Sequence, residues 1–151
     1  MRKVTAFMLS IVITATSAIA ASYNIFDDDR PINYVELPAN SQEFIEEYFS
    51  KDDISHIILD KELLGDEYKV VFTNGDKIEF DNKGEWKEIS CRYNEVPKSL
   101  VPDKIRNYIH KSYPEKKITE IKRKHGNWET KITGGLELTF NKSYQLIDID
   151  D

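Results

Sequence analysis

Hydrophobic positions recur twice along this chain in the same order, about 60 residues apart. In each copy, an apolar stripe of helical spacing precedes strand-like runs in which apolar and polar residues alternate. Thr73-Asn74-Gly75 interrupts these runs in the first copy, and Thr133-Gly134-Gly135 interrupts them in the second. The flanking apolar residues also correspond: Tyr68, Ile78, Phe80 and Ile89 match Trp128, Leu138, Phe140 and Ile149. The pattern predicts an α+β fold made of two copies of one module.

The helical stripes predict one helix in each copy. The first helix should span about Asn40 to Ser50, with Asn40 or Ser41 as its N-cap, and its stripe consists of Phe44, Ile45, Tyr48 and Phe49. The second should begin with Pro102 at its first position and stop before Pro114. Its stripe repeats as Ile105, Tyr108, Ile109 and Tyr113.

The turns predict the register of the strands. A two-residue loop at Asn74-Gly75 would split the apolar residues between the two faces of the sheet. A three-residue loop keeps them together, because it pairs Val70 with Ile78 and leaves Gly75 in the left-handed position. The same rule gives Gly135 this role in the second copy. We therefore expect Gly75 and Gly135 to be structural turn residues.

This register separates an apolar face from a hydrophilic face. Tyr68, Val70, Phe72, Ile78 and Phe80 should point inward. The outward positions are Lys69, Val71, Thr73, Lys77 and Glu79, and in the second copy Glu129, Lys131, Thr133, Glu137 and Thr139. We expect helices on one face of the sheet and water, or a partner, on the other.

The N-terminus has the pattern of a secretory signal peptide. Met1-Arg2-Lys3 is basic, the stretch up to Ile19 is uncharged and largely apolar, and Ala18-Ile19-Ala20 is a small-x-small cleavage site. Cleavage is predicted between Ala20 and Ala21. The stretch is short and diluted by hydroxyl residues for a retained membrane anchor.

Composition limits the function classes. After cleavage, 131 residues remain with 19 basic and 27 acidic side chains, a net charge of −8. This charge disfavours nucleic acid and anionic membranes, and no membrane insertion is expected after signal removal. Cys91 is the only cysteine, so the chain forms no disulfide within itself, and a buried residue at a strand end is its simplest interpretation.

No constellation of catalytic or metal-binding residues stands out. His56, His110 and His125 are predicted in a strand, a helix and a turn, without the spacing of a metal site. There is no nucleophile elbow, and Glu46-Glu47 fit a solvated helix face. The acidic run at Asp27 to Asp29 lacks the spaced ligands and glycine of a calcium loop. We expect no enzyme activity, no metal and no cofactor.

The framework residues resemble the β-lactamase-inhibitor-like, PepSY-like proteins that Gram-negative bacteria export. The resemblance rests on Leu37-Pro38, on the strand and turn pattern from Tyr68 to Trp86, and on Val96-Pro97 before the second meander. It implies two tandem α-β-β-β repeats that form a curved antiparallel sheet with helices on one face. Together with the signal peptide predicted at 1–20, it divides the chain into a leader at 21–36 and repeats at 37–92 and 93–151. A periplasmic or secreted location follows from the same resemblance.

Two functional hypotheses remain. The first is a non-catalytic module that binds or inhibits another envelope or extracellular protein, such as a hydrolase or peptidase, through the open sheet face or the hairpins. The second is an envelope protein that senses or binds a small ligand or cation. Candidate protein-contact residues are Val71, Asn74, Trp86, Tyr93 and Tyr144, each of which also fits a core or turn position.

Overall fold

The computed structural model describes residues 29–61 and 65–151. The predicted signal peptide, its cleavage site at Ala20 and Ala21, and most of the predicted leader therefore lie outside the described residues. In these two ranges, no helix has the length and apolar character needed to cross a membrane.

The described residues form a single antiparallel sheet with two α-helices. The strands are β1 (Arg30–Ile32), β2 (Ile54–Asp60), β3 (Glu67–Phe72), β4 (Lys77–Phe80), β5 (Trp86–Ser90), β6 (Ile118–Lys124), β7 (Asn127–Ile132), β8 (Glu137–Phe140) and β9 (Leu146–Asp150). The helices are α1 (Ala39–Tyr48) and α2 (Asp103–Ser112). Every strand pairs with its neighbours in sequence, so that β1 and β9 are the two edges of the sheet. The predicted α+β class is confirmed.

Each helix is followed by four strands, β2 to β5 after α1 and β6 to β9 after α2. The resemblance implied three strands for each repeat, and the structure differs because the runs that begin at Ile54 and Ile118 join the sheet as well. These runs have a core face of their own, since Ile57 is 3% exposed and Ile121 is fully buried. The short segment β1, from the predicted leader, adds a further strand beside β2.

The helices begin at proline rather than at a polar cap. Pro38 and Pro102 are the N-cap residues, each with extended ψ, so the prediction of Asn40 or Ser41 as the cap was wrong. The Pro38 carbonyl accepts the N–H groups of Ser41 and Gln42 at 3.0 and 3.2 Å, and the fixed φ of proline sets up this start. Helix α1 ends at Tyr48, two residues before the predicted end, because Phe49 is extended. Pro102, predicted as the first residue of the second helix, lies one position before α2 begins.

The predicted three-residue turns are confirmed. Val70 pairs with Ile78 in the first copy, and Thr130 pairs with Leu138 in the second. In both hairpins, the residue before the loop donates its N–H to the residue after it, at 2.9 Å for Phe72 and 3.0 Å for Ile132. This register places the apolar residues on a single face.

One hydrophobic core runs under both helices, on the same face of the sheet. Ile45 of α1 and Ile105 of α2 are fully buried, and they belong to the same cluster of packed residues. Two ring contacts correspond between the copies: Phe44 meets Phe80 edge-on at 5.7 Å, and Tyr108 meets Phe140 at 5.6 Å. The expected arrangement of helices on one face is therefore confirmed, and the opposite face is left uncovered by the described elements.

Candidate protein-contact surface

The uncovered face of the sheet, called the open face below, carries two rows of side chains that cross it from β2 to β9. The strand registers place one residue of each strand in each row. The first row is Ile58, Lys69, Glu79, Glu88, Lys122, Glu129, Thr139 and Asp148; the second is His56, Val71, Lys77, Ser90, Glu120, Lys131, Glu137 and Asp150. Most of these positions are charged.

Ion pairs connect neighbouring strands within the rows. Lys122 Nζ lies 2.6 Å from Glu88 Oε2 across the β5–β6 pairing, which joins the two halves of the sheet. Lys131 Nζ lies 2.6 Å from Glu137 Oε1, and Lys69 Nζ lies 3.5 Å from Glu79 Oε1. Pairs this exposed contribute little to folding stability. Their effect is to fix the pattern of charge that the open face presents.

The two halves of the open face differ in charge. Among the row residues on β2 to β5, two lysines accompany two glutamates. On β6 to β9, the row residues include two lysines, Lys122 and Lys131, and five acidic residues: Glu120, Glu129, Glu137, Asp148 and Asp150. The second half is therefore an acidic patch, and its potential favours a basic partner surface.

The acidic patch perturbs the groups within it. Burial raises the pKa of Glu120, and the neighbouring Glu88 carboxylate raises it further. The carboxylate of Asp148 raises the pKa of Asp150. Conversely, hydrogen bonds to Glu88 and Glu137 raise the pKa values of Lys122 and Lys131. Negative charge in this half thus exceeds what its own lysines balance.

Among the predicted contact residues, Val71 lies on the open face. It stands half-buried in the second row between His56 and Lys77. Sequence reasoning missed Glu88, Glu120 and Lys122 as open-face residues. The alternation of apolar and polar residues in 118–124 indicates which residues of this strand point outward. Their place on the open face follows only from the pairing of β5 with β6.

Asn74 lies at the tip of the first hairpin, and its side chain organises the turn. Its Oδ1 accepts the Asp76 N–H at 2.9 Å, and its Nδ2 donates to the Asp76 carboxylate at 2.9 Å. The other oxygen of the buried Asp76 carboxylate accepts the Arg92 N–H at 2.8 Å. Gly75 and Gly135 have φ angles of 86° and 96°, as their predicted turn roles require.

Trp86 belongs to the core rather than to a contact surface, because its side chain is 9% exposed. The Arg123 guanidinium lies over its ring at 3.6 Å, and the Trp128 ring lies 6.1 Å away. Burial lowers the pKa of Arg123, while Glu85 and Asp81 oppose that shift. These contacts tie β5 to β6 and β7 on the helix face.

The two tyrosines lie in different environments. Tyr93 is 72% exposed in the connection after β5, with the Arg92 guanidinium 5.3 Å from its ring. Tyr144 packs on Trp128 at 6.0 Å and has a φ angle of 63°, a left-handed conformation. The structure therefore distributes the five predicted contact residues over the open face, a hairpin tip, the core and two loops.

A groove of about 540 Å³ lies beside α2, away from the open face. Its lining combines apolar residues such as Val96 and Ile109 with charged ones: the basic Lys98, Arg106, Lys116 and Lys117 and the acidic Glu95 and Glu115. The described parts of the chain contain no group of three or more His, Cys, Asp or Glu side chains that could hold a metal ion. Cys91 is buried, which raises the pKa of its thiol to about 12 and keeps it protonated.

The fold and sequence have relatives among solved periplasmic proteins. A structure from Bacteroides vulgatus, "a putative periplasmic protein" of a family of unknown function, is 39% identical over 83% of this chain and 98% of its own, with a TM-score of 0.78. "A putative calcium-regulated periplasmic protein" from Bacteroides thetaiotaomicron is 37% identical over 82% and 98%, with a TM-score of 0.78. A second Bacteroides vulgatus protein is 30% identical over 82% and 99%, with a TM-score of 0.77.

No curated protein matches the chain. The solved relatives are described as periplasmic proteins, which agrees with the periplasmic or secreted location that the resemblance implied, and the chain is a periplasmic protein. A family profile described as "Putative beta-lactamase-inhibitor-like, PepSY-like" matches residues 66–148, more than half of the sequence. The chain therefore belongs to the β-lactamase-inhibitor-like, PepSY-like family.

Proposed function

We propose that this protein is a non-catalytic periplasmic binding module whose open face docks a basic surface of another envelope protein. The observation that carries this proposal is the acidic patch on β6 to β9, which no described element covers. Complementary charge mainly raises the rate and specificity of association. An envelope hydrolase or peptidase with a basic rim is the partner class that the family name suggests.

The balanced half of the face provides the apolar contribution that a stable interface needs. Ile58 and Val71 lie there in adjacent rows, beside the charged residues of β3 and β4. Apolar centres with charged rims are typical of protein interfaces. The central strands also present this surface on a continuous hydrogen-bonded sheet, so that little ordering is required on binding.

The test is cross-linked capture with the chain from Ala21 onward, using an envelope extract of its own host. Glu129→Lys and Val71→Lys each place a cation on the open face, and Asp52→Lys changes an exposed residue near α1 with the same charge change as Glu129→Lys. We expect one partner that cross-links to the open face, is lost from the two open-face variants and is kept by Asp52→Lys. Equal recovery by all four proteins would contradict the proposal.

A second candidate function is the binding of a small anionic molecule with an apolar body in the groove beside α2. The apolar part of the lining, together with four Lys and Arg side chains against two Glu side chains, favours this class over a cation. One relative is described as calcium-regulated, so calcium is the natural comparison. A ligand that binds only the folded state raises its melting temperature. A melt raised by a fatty-acid anion but not by millimolar calcium would support this candidate, and a melt unmoved by both would contradict it.

A further inference from the structure

The two edges of the sheet are unequal. At one edge, β1 is three residues long and contains Pro31, which has no N–H to offer an incoming strand. At the other, β9 is five residues long and contains no proline. Its Ile147 and Ile149 side chains are 53% and 44% exposed, among the few large apolar side chains that the described residues expose. The β9 edge thus lacks the protection that β1 has.

The molecule itself shows what a strand on this edge would look like. β9 occupies the position in its half that β5 occupies in the first half, since Leu138 pairs with Ile149 as Ile78 pairs with Ile89. The outer edge of β5 is filled by β6, in a register that places Ile121 beside Ile89 and Lys122 beside Glu88. In the described residues, the outer edge of β9 carries no such strand.

The backbone of β9 points its donors toward this edge. In β5, the equivalent strand, the direction is visible: Cys91, just after its end, donates its N–H to the Thr119 carbonyl of β6 at 2.8 Å. The N–H of Ile89, two residues earlier, also points toward β6, because alternate N–H groups of a strand point to the same side. Ile149 corresponds to Ile89. Its N–H donates instead to the carboxylate of Asp148 at 3.0 Å, a local substitute for a strand partner.

The charges of β9 specify the partner further. Glu88 of β5 forms an ion pair with Lys122 of β6 at 2.6 Å. Asp148 occupies the corresponding position in β9, at the edge of the sheet and close to Asp150. Asp150 occupies the position in β9 that Ser90 occupies in β5, and Ser90 pairs with Glu120 of β6. A strand added to β9 needs a neutral or basic residue at the position of Glu120, because a carboxylate there would lie beside Asp150. A complementary segment therefore alternates basic side chains on the open face with an aliphatic side chain opposite Ile149.

We propose that the free edge of β9 binds an extended segment of another protein as an added antiparallel strand, with an aliphatic residue opposite Ile149 and lysine or arginine opposite Asp148 and Asp150. Main-chain hydrogen bonds supply the affinity in this mode of recognition, and alternate side chains supply the specificity. This inference concerns the edge of the sheet. It shares Asp148 and Asp150 with the acidic patch, but it does not require the docking proposed for the open face.

The test uses three labelled, end-capped peptides and the chain from Ala21 onward. The first has the sequence of β6, Ile118–Lys124; the second carries Glu120→Lys; the third carries Glu120→Lys and Ile121→Pro, which keeps the charge and prevents strand pairing. We expect the second peptide to bind about tenfold more tightly than the first, because a like-charge contact is removed. The third should bind at least about tenfold more weakly than the second.

Variants of the protein locate the site. Asp148→Lys/Asp150→Lys should lose the Glu120→Lys peptide, while the control Asp52→Lys/Asp53→Lys, with the same charge change, should bind it unchanged. In amide NMR spectra, binding should move the Ile149 N–H and slow its exchange with solvent. Val71→Lys should keep the peptide, so that failure of the open-face proposal and failure of the edge proposal give different results.

Three results would overturn the proposal. Equal binding of the proline peptide would reduce the interaction to attraction between charges. Amide shifts centred on the groove beside α2 would assign the peptide to another site. Dimerisation of the chain through β9, with no peptide binding, would make a second copy the occupant of this edge.

Discussion

Gly84 and Tyr144 occupy equivalent turns with the same left-handed backbone, at φ angles of 82° and 63°. Each donates its N–H to the residue three positions earlier, Asp81 or Asn141, at 2.9 and 2.8 Å. A side chain at Gly84 would collide with α1, since its Cβ would lie 2.9 Å from both Pro38 Cβ and Ser41 Oγ. The second turn accommodates tyrosine, whose ring packs on Trp128. Left-handed backbone at a residue other than glycine stores conformational strain.

Gly84→Ala should therefore destabilise the protein more than Gly135→Ala does. Both substitutions carry the cost of a left-handed alanine, about 1 kcal/mol. Only Gly84→Ala adds the steric conflict with Pro38 and Ser41, because a Cβ at Gly135 meets nothing within 4 Å. Urea unfolding of the two variants measures the difference. Equal losses would show that α1 moves aside without cost.

Glu120→Gln should stabilise the protein at pH 7. Burial and the Glu88 carboxylate raise the pKa of Glu120 in the folded state, so the folded protein holds this proton more tightly than the unfolded chain does. The ionised carboxylate is therefore unfavourable at neutral pH. This penalty declines as the pH falls through the folded pKa, and it vanishes below the unfolded value of about 4.3.

Urea unfolding at pH 7 and near pH 3 checks this prediction. The free energy of unfolding of Glu120→Gln should exceed that of the unchanged protein at pH 7 and approach it near pH 3. Glu115→Gln, which makes the same substitution at an exposed residue away from the sheet, is the control. A gain of the same size at both pH values would contradict the electrostatic explanation.

At the scale of elements, local chemistry predicted the turns better than the helix starts. Gly75 and the apolar residues around it allow one register that keeps Val70 and Ile78 on one face, so the hairpin could be derived from a few neighbours in sequence. The start of α1 depends on Pro38, and Ser41 is buried against Gly84 of a distant turn. Its hydroxyl was therefore unavailable as the cap that sequence reasoning assigned to it.

The contact between Arg123 and Trp86 is an element-scale device, because it fastens β6 to β5 on the helix face. Arg123→Met keeps most of the aliphatic stem and removes the guanidinium, so we expect a loss of about 1 kcal/mol in the free energy of unfolding. Lys124→Met, at the exposed end of the same strand, should change stability by less than about 0.5 kcal/mol. Tryptophan fluorescence during urea unfolding follows both. Equal effects would mean that the cation–π contact contributes nothing.

The whole molecule depends on the pairing of β5 with β6. The strand pattern left this pairing open, and only the family resemblance implied a single sheet. Two modules with separate sheets and two modules with a shared sheet have the same alternation in each strand. The structure joins them, with Ile89 paired to Ile121 and both fully buried. The charge pattern of the open face follows from this junction, because it places Lys122 beside Glu88. The candidate site could not be assembled from either half alone.

A single core predicts a single unfolding transition for the two halves. Thermal unfolding followed by tryptophan fluorescence and by far-UV circular dichroism should give coincident curves. Ile121→Ala, which removes buried contacts at the junction, should lower the free energy of unfolding by about 2–5 kcal/mol and keep one transition. Two separate transitions in the unchanged protein would show that the halves fold independently.

The order of the strands has a consequence for export. Because each described strand pairs with the strands next to it in sequence, none of them has to wait for a partner from the far end of the chain. A polypeptide that crosses the inner membrane amino terminus first can add strands to the sheet one by one as they emerge. Such neighbour pairing keeps loop-closure costs low and favours rapid folding. Among the described strands β9 emerges last, and it is also the strand whose outer edge no other described strand covers.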